Sequence, residues 1–262
     1  MTGDPRGVRI EVDPRGVARL TLDRPARRNA FDGAMIDALR ASVTDLGRNP
    51  AVHAIVLTGA GDAFCAGADL DHMRAMAEAS ESANYADALA LAEMLATLDE
   101  CAKPLVARVN GDAFGGGVGL VACCDIAIGL AGAQFALSEV RLGLVPATIA
   151  PHVVAAIGSR ATRALALTGE RIDGARAQAL GLLHGTAGDP AALDAAVERV
   201  LGDLLSGGCE AQAEVKALVR EVTGAPRDAA QRRSTSHRLA RLRLSQEARE
   251  RIAAFLARRK RM

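Results

Sequence analysis

The sequence predicts a layered α/β fold, and three observations predict it. HAIVLTG (53–59), KPLVARV (103–109) and DIAIGL (125–130) are short apolar runs bounded by polar or turn-forming residues, and they read as buried strands. Stretches with apolar residues at helical spacing lie between them, and an alternation of strand, loop, helix and strand argues for a sheet covered by helices. Half of the 262 residues are hydrophobic, but 2% are aromatic and none is Trp. The core is therefore expected to be Ala, Val, Leu and Ile, which suits closely packed layers. The length allows one large domain or a domain with an appendage.

The elements follow in order. VRIEV (8–12) and VARLTL (17–22) alternate, or nearly so, on either side of DPRG, which reads as a β-hairpin. DRPARRNAFD (23–32) is a turn-rich loop. A helix is expected over 33–46, with Asp32 as its N-cap and Gly47 just past its end. After the strand at 53–59, AGDAFCAGADL (60–70) is a Gly/Ala-rich loop. His72 and Asp71 lie just beyond it, in a stretch that reads as mobile and ends near Tyr85. An Ala-rich helix is expected over 84–100 on propensity. The strand at 103–109 leads to GGGVGLVACC (115–124), which enters a helix. DIAIGL returns as a strand, and AQFAL (133–137) is strand-like. Two more helices, SRATRALALTG (159–169) and GARAQALGLL (174–183), are divided by ERID. From Pro190 the chain becomes helical and charged. Leu239, Leu242, Ile252, Phe255 and Leu256 fall on roughly one face, a stripe that must bury against its own core or a neighbouring subunit.

Composition excludes several classes. The formal net charge is +1, so no global field steers the chain toward nucleic acid or an anionic membrane. The basic run at 258–261 reads as a solvated helix end, where cations suit the dipole. Asp4, Glu11 and Asp13 leave no apolar signal region near the start, and no apolar run reaches membrane-spanning length. A soluble, cytoplasmic protein is expected. Cys65, Cys101, Cys123, Cys124 and Cys209 are odd in number and form no CxxC, so reduced thiols are expected and no metal site. His53, His152, His184 and His237 are scattered and read as structural.

Two Gly-rich loops each follow a buried strand and lead toward a helix, IVLTGAGDAFCAGADL (55–70) and LVARVNGDAFGGGVGL (105–120). At such a junction the first helical N–H groups have no intrahelical partner. Small residues there let a ligand approach the backbone. Two such loops could aim two N–H donors at one oxygen, as an oxyanion hole does. Each loop taken alone reads as a tight turn. A phosphate loop is excluded because no Lys and Ser/Thr follow the glycines, and GGGVG lacks the setting of a dinucleotide fingerprint. Glu139, in AQFALSEVRLGLVPATIAPHVV (133–154), lies between apolar residues. It is either a rim carboxylate paired with a neighbour such as Arg141, or a partly buried acid that moves protons near neutral pH.

The set as a whole resembles the enoyl-CoA hydratase/isomerase, or crotonase, family. The resemblance rests on RPARRNAFD, FCAGADL, KPLVARVNGDAFGGGVGLVACCDIAI, AQFALSEVRLGLVP and LALTGERIDGARAQALGLL, which occur in family order and spacing. It implies a crotonase-like spiral of ββα units over residues 1–190. A C-terminal helical region, 191–262, would drive assembly into a trimer or a dimer of trimers. It implies an acyl-CoA ligand, with coenzyme A as part of the substrate, and neither a separate cofactor nor a metal. By position, the oxyanion donors are the N–H groups of Ala68 and Gly116, and the backbone at Ala66 meets the CoA adenine. Asp69, Leu70, Gly115, Gly117 and Gly119 fall with them as substrate-binding positions.

There is one departure. Two-acid hydratases of the family carry a Glu where this chain has Gly119, and a second where it has Glu139. Glu139 would work alone, or with another group. GGGVGLVACCDIAI and SEVRLGLVPATIAPHVVAAIG look most like bacterial methylglutaconyl-CoA hydratases of leucine breakdown and related hydratases of branched isoprenoid acids. PATIAP stands where ordinary hydratases have a Gly-rich segment. The resemblance implies hydration of a branched, carboxylated 2-enoyl-CoA, with two alternatives, an isomerase that moves a double bond with Glu139, or a non-catalytic acyl-CoA-binding relative. A distal carboxylate would want a cationic or hydrogen-bonding partner, for which Arg74, Arg141 and His152 are the candidates.

Overall fold

The computed structural model describes residues 6–259. Asp4, Lys260 and Arg261, which entered the charge reading, lie outside them. β1 (Val8–Val12) and β2 (Val17–Leu22) form the expected hairpin, from Val8 opposite Leu22 to Val12 opposite Ala18. Asp13 closes its turn, accepting from the N–H groups of Arg15 and Val17. In α1 (Gly33–Arg48) the Asp32 side chain accepts from the Met35 N–H, as the sequence predicts. Gly47, expected past the end, lies inside the helix, and Asn49 is the C-cap. Packing explains the glycine, because a Cβ there would stand 3.3 Å from Cys101 Sγ.

β3 (Ala54–Gly59) leads through the first Gly-rich loop to α2 (Leu70–Ala77) and α3 (Glu81–Glu100). α3 starts before the expected residue 84 because the Ser80 side chain caps it through the Ala83 N–H. The stretch that reads as mobile is thus two helices, and Asn84 closes their corner by donating to the Met76 carbonyl at 2.8 Å. β4 (Leu105–Val109), β5 (Ala113–Phe114) and α4 (Gly116–Ala122) form one ββα unit. β6 (Ile126–Leu130), β7 (Gln134–Ala136), a 3-10 turn at Glu139–Leu142 and α5 (Ala150–Thr168) form the next. The helix expected at 159–169 is the second half of α5, which is broken at Gly158 (φ 76°, ψ 158°). ERID, read as a divider, contributes β8 (Ile172–Asp173), and α6 (Gly174–Leu180) and β9 (Gly185–Ala187) follow.

The long strands make a six-stranded sheet in the order β1-β2-β3-β4-β6-β9, antiparallel at β1–β2 and parallel elsewhere. The short strands make a second sheet, β5-β7-β8. Each unit therefore gives one strand to each sheet before its helix, and the chain winds as a spiral. Side chains alternate between the faces of a strand. Leu20, Ile55, Leu57, Leu105 and Ala107 face the core shared with α1 and α3, and Val17, Ala54, Val56, Val106 and Ile128 face the other way. That second face is closed by Leu193, Val197 and Leu201 of α7 (Pro190–Ser206).

α8 (Cys209–Val222), α9 (Ala229–Arg243) and α10 (Gln246–Arg259) complete the helical region. The apolar stripe is divided between α9 and α10, and Leu239, Ile252, Phe255 and Leu256 are all exposed on the single chain. All five cysteines are free, and four are buried. Among the described residues, no helix is long and apolar enough to cross a membrane.

Asn29 pins the loop of residues 24–32 to the first Gly-rich loop. It is fully buried at φ 56°, accepts from the Arg24 N–H and donates to the Ala60 and Ala63 carbonyls. Asn29→Ala strands these backbone groups and places a Cβ residue without a compensating side-chain bond in the left-handed region. We expect a loss of about 3 kcal/mol in denaturant unfolding; a loss below about 1 kcal/mol would contradict this role.

Candidate active site

The two Gly-rich loops lie side by side, joined by backbone. Cys65 and Ala113 form a parallel bridge, and the Phe114 N–H donates to the Cys65 carbonyl at 3.0 Å. A Cβ on Gly67 would stand 2.7 Å from the Phe114 carbonyl oxygen and 3.6 Å from the Gly116 nitrogen. Phe31 forms a second parallel bridge with Ala68, made by the N–H groups of Phe31 and Asp69. This geometry leaves the Ala68 N–H outside the ladder. Gly116 is the first residue of α4, whose N-cap Gly115 has φ 50°, so its N–H has no intrahelical acceptor. Among the described residues neither N–H finds a protein acceptor. Both residues line one cavity of about 650 Å³.

Glu139 reaches the same cavity from the 3-10 turn after β7. Its Oε1 lies 3.0 Å from where a Cβ on Gly115 would be. Its Oε2 is buried without a hydrogen-bond partner among the described residues. Burial raises the Glu139 carboxyl above its ordinary 4.5, partly offset by a hydrogen bond from its own backbone N–H. The pairing with Arg141 is not seen, since Arg141 lines the cavity but among the described residues makes no ion pair with Glu139. A desolvated carboxyl with one unpartnered oxygen, in one cavity with two free N–H donors, can move a proton next to a carbonyl whose oxygen carries developing negative charge.

The structure sorts the remaining candidates. Ala66, Leu70 and Gly115 line the cavity with Ala68 and Gly116. Asp69, Gly117 and Gly119 lie outside its lining. Asp69 is a buried cap of α2, accepting from the Asp71 and His72 N–H groups and paired with Arg24 at 3.0 Å. Burial pushes its carboxyl up, but those hydrogen bonds and the Arg24 and Arg27 charges outweigh it and hold it below the usual carboxylate value. Gly117 faces protein, where a Cβ would stand 2.4 Å from the Cys65 carbonyl oxygen. At Gly119 a Cβ would stand 2.4 Å from Ile149 Cγ2. Ile149 belongs to PATIAP and lines the cavity, so the room an acid at 119 would need is filled by an isoleucine.

Of the three partners considered for a distal carboxylate, Arg141 alone is in the lining. Arg74 pairs with Asp71 at 3.2 Å, and His152 lies outside. Sequence reasoning missed Arg171, whose guanidinium sits 5.2 Å over the Phe114 ring in the cavity wall. It also missed Asp87, which meets His72 there. Arg171 lies within LALTGERIDGARAQALGLL, in the ERID segment read only as a divider, and Asp87 lies in no motif. Of the scattered histidines, His184 accepts from the Ala127 N–H, and His53 contacts Cys209.

Comparison with known proteins gives the family and the fold. The family model described as Enoyl-CoA hydratase/isomerase matches residues 13–262. The chain is 39% identical over 219 residues to the Alternaria alternata protein named Enoyl-CoA hydratase AFT6-1, covering 83% of this chain and 72% of that one. Among solved structures, an enoyl-CoA hydratase from Shewanella pealeana superposes with a TM-score of 0.93 at 39% identity, covering 96% of this chain and 94% of the other. Pseudomonas aeruginosa AtuE does so with 0.92 at 37% identity, covering 95% and 96%.

The Gly119–Ile149 contact makes a prediction. Gly119→Ala should overpack the site at a cost of about 1–3 kcal/mol. In a double-mutant cycle with Ile149→Ala, the paired variant should be less destabilised than the sum of the singles. Additive losses in denaturant unfolding would show that the two residues do not compete for one space.

Proposed function

The chain belongs to the enoyl-CoA hydratase/isomerase family, and from that premise we propose that it adds water reversibly to the double bond of a 2-enoyl-CoA thioester. The acyl chain in this reading is branched and carries a distal carboxylate, as in 3-methylglutaconyl-CoA. The observation that carries the proposal is the convergence on one cavity of the Ala68 and Gly116 N–H groups and the Glu139 carboxyl, whose Oε2 has no partner among the described residues.

In this mechanism the thioester carbonyl oxygen accepts from both N–H groups. They stabilise it most when it becomes the enolate oxygen, so their effect falls on the transition state. Glu139 as carboxylate takes a proton from water as that water bonds to Cβ. The electron pair of the double bond moves toward the carbonyl. Glu139 then returns the proton to Cα, the enolate collapses, and the carboxylate is regenerated. One acid serves both steps, which suits a site where Ile149 fills the room beside Gly119. Ala66 and Leu70 support the CoA moiety from the cavity rim, and Asp69, tied to Arg24, holds the loop that presents Ala68. That same filled space favours a second reading, isomerisation, in which Glu139 carries a proton from one carbon to another without water.

The exposed apolar residues of α9 and α10 support assembly of residues 191–262 into a trimer or a dimer of trimers. Four buried free thiols suit a reducing compartment, which supports a cytoplasmic location.

Mass analysis of products from 3-methylglutaconyl-CoA, crotonyl-CoA and a 3-enoyl-CoA tests the reading. A water adduct is expected. A shifted double bond at unchanged mass would make the protein an isomerase, and no product from any of the three would favour an acyl-CoA-binding relative. Glu139→Gln should lower kcat/KM by about 10²–10⁴-fold.

The pH dependence has a defined sign. Hydration needs the carboxylate form, so the rate should fall as pH drops through a value above 4.5. A carboxyl whose folded-state value is raised destabilises the fold above that value, and the penalty vanishes below the unfolded-state value. Glu139→Gln should therefore be at least as stable as the parent at neutral pH in denaturant unfolding, and a clear loss there would contradict the burial argument.

A further inference from the structure

The cavity holds a polar pair that this mechanism leaves unused. His72 on α2 and Asp87 on α3 both line it, with Nε2 2.8 Å from Oδ1. Their side chains are 20% and 30% exposed, so the pair is partly buried. Around it, α2 and α3 contribute Met73, Met76, Ala88 and Leu91. Asn84 is also in the wall, but its amide is spent on the carbonyls of Met76, Ala79 and Ser80. That bonding already closes the α2–α3 corner, so the fold has little need of the His72–Asp87 pair. A pair that keeps this much solvent exposure contributes on the order of 1 kcal/mol or less. A polar pair in an apolar wall also disfavours a purely hydrocarbon chain, because the chain would desolvate it without replacing its water.

The chemistry of the pair selects a ligand. The Asp87 carboxylate has acceptors and no proton to give, so it takes the hydrogen on Nε2 and orients the ring. Nδ1 is then the ring atom left for a ligand, and among the described residues no protein group bonds to it. Binding of a ligand carboxylate there takes up one proton from solvent onto Nδ1, so that each ring nitrogen then donates to one carboxylate. The wider charge suits an anion as well. Arg141 and Arg171 line the same cavity, and neither makes an ion pair among the described residues.

We propose that His72, oriented by Asp87, binds a carboxylate at the end of the acyl chain and so selects dicarboxylic over simple acyl-CoA thioesters. The inference rests on the acyl-CoA reading above and names the residue that chooses the chain. Its test is separate from turnover. Glutaryl-CoA is butyryl-CoA with a terminal carboxylate, and neither carries a double bond to hydrate. Calorimetry with the parent protein should show roughly 10–100-fold tighter binding of glutaryl-CoA, the scale of one hydrogen bond between charged groups. His72→Ala should abolish that preference while its affinity for butyryl-CoA stays within about threefold. His72→Phe, which keeps a ring but no donor, should do the same if the smaller residue disturbs the fold. Asp87→Asn should reduce the preference without removing it.

A parent protein with no preference, or a preference that survives in His72→Ala or His72→Phe, overturns the inference. Survival there with loss in Arg171→Ala would move the anion to the guanidinium. A preference carried by His72 in a protein that hydrates no enoyl-CoA would sink the hydratase reading and leave this one standing. Hydration of crotonyl-CoA by a protein with no preference would do the reverse.

Discussion

The site depends on the contact of two main chains that approach too closely for any side chain to stand between them. Gly67 lies against the Phe114 carbonyl and Gly117 against the Cys65 carbonyl, each at a distance that excludes a Cβ. These reciprocal contacts bring a loop after β3 and a loop after β4 into register, so that Ala68 and Gly116 open onto the same space. The parallel pairing of β3 and β4 sets the loops at one end of the sheet, and the glycines let them touch. Arg24 and Asp69 then fix the outer loop by a pair that is largely buried, at the start of α2. The donors are thus held by backbone geometry, and little reorganisation is needed when charge develops on a ligand oxygen.

Around this fixed centre, the differences lie in what fills the cavity. Ile149 occupies the room beside Gly119, which turns a place where an acid could stand into apolar wall. Glu139 is left as the carboxyl at the centre, raised by its own burial. One buried carboxyl oxygen without a partner among the described residues, two N–H donors and a wall of mixed polarity form a small set of parts. In the proposed mechanism the chemistry lies with the donors and Glu139, and in the proposed selection the choice of acyl chain lies with α2 and α3.

Much of this was legible in the sequence, because it is written locally. The apolar runs at 54–59, 105–109 and 126–130 announce strands, and the Gly-rich loops after two of them mark the junctions. Asp32 caps α1 as a local hydrogen bond predicts. What was not legible is set by contacts distant in sequence. Gly115 and Gly116 face the cavity while Gly117 and Gly119 face protein, and the difference is made by Cys65 and Ile149 packing from other segments. Asp69 looks like a ligand contact by position but is turned inward by Arg24. His72 and Asp87 lie 15 residues apart on separate helices, and a pairing across a helix corner leaves no periodic signal. Gly47 resembles a helix stop, yet it serves the packing of Cys101.

The measurement that bears most directly on the central claim is isotope-edited infrared spectroscopy of a bound acyl-CoA labelled with ¹³C at the thioester carbonyl. If the Ala68 and Gly116 N–H groups converge on that oxygen, the carbonyl stretch moves to lower frequency on binding, and the shift persists in Glu139→Gln, where the donors are intact. A bound thioester whose stretch matches the one in water would contradict the account, because the two loops would then be close neighbours without being a site.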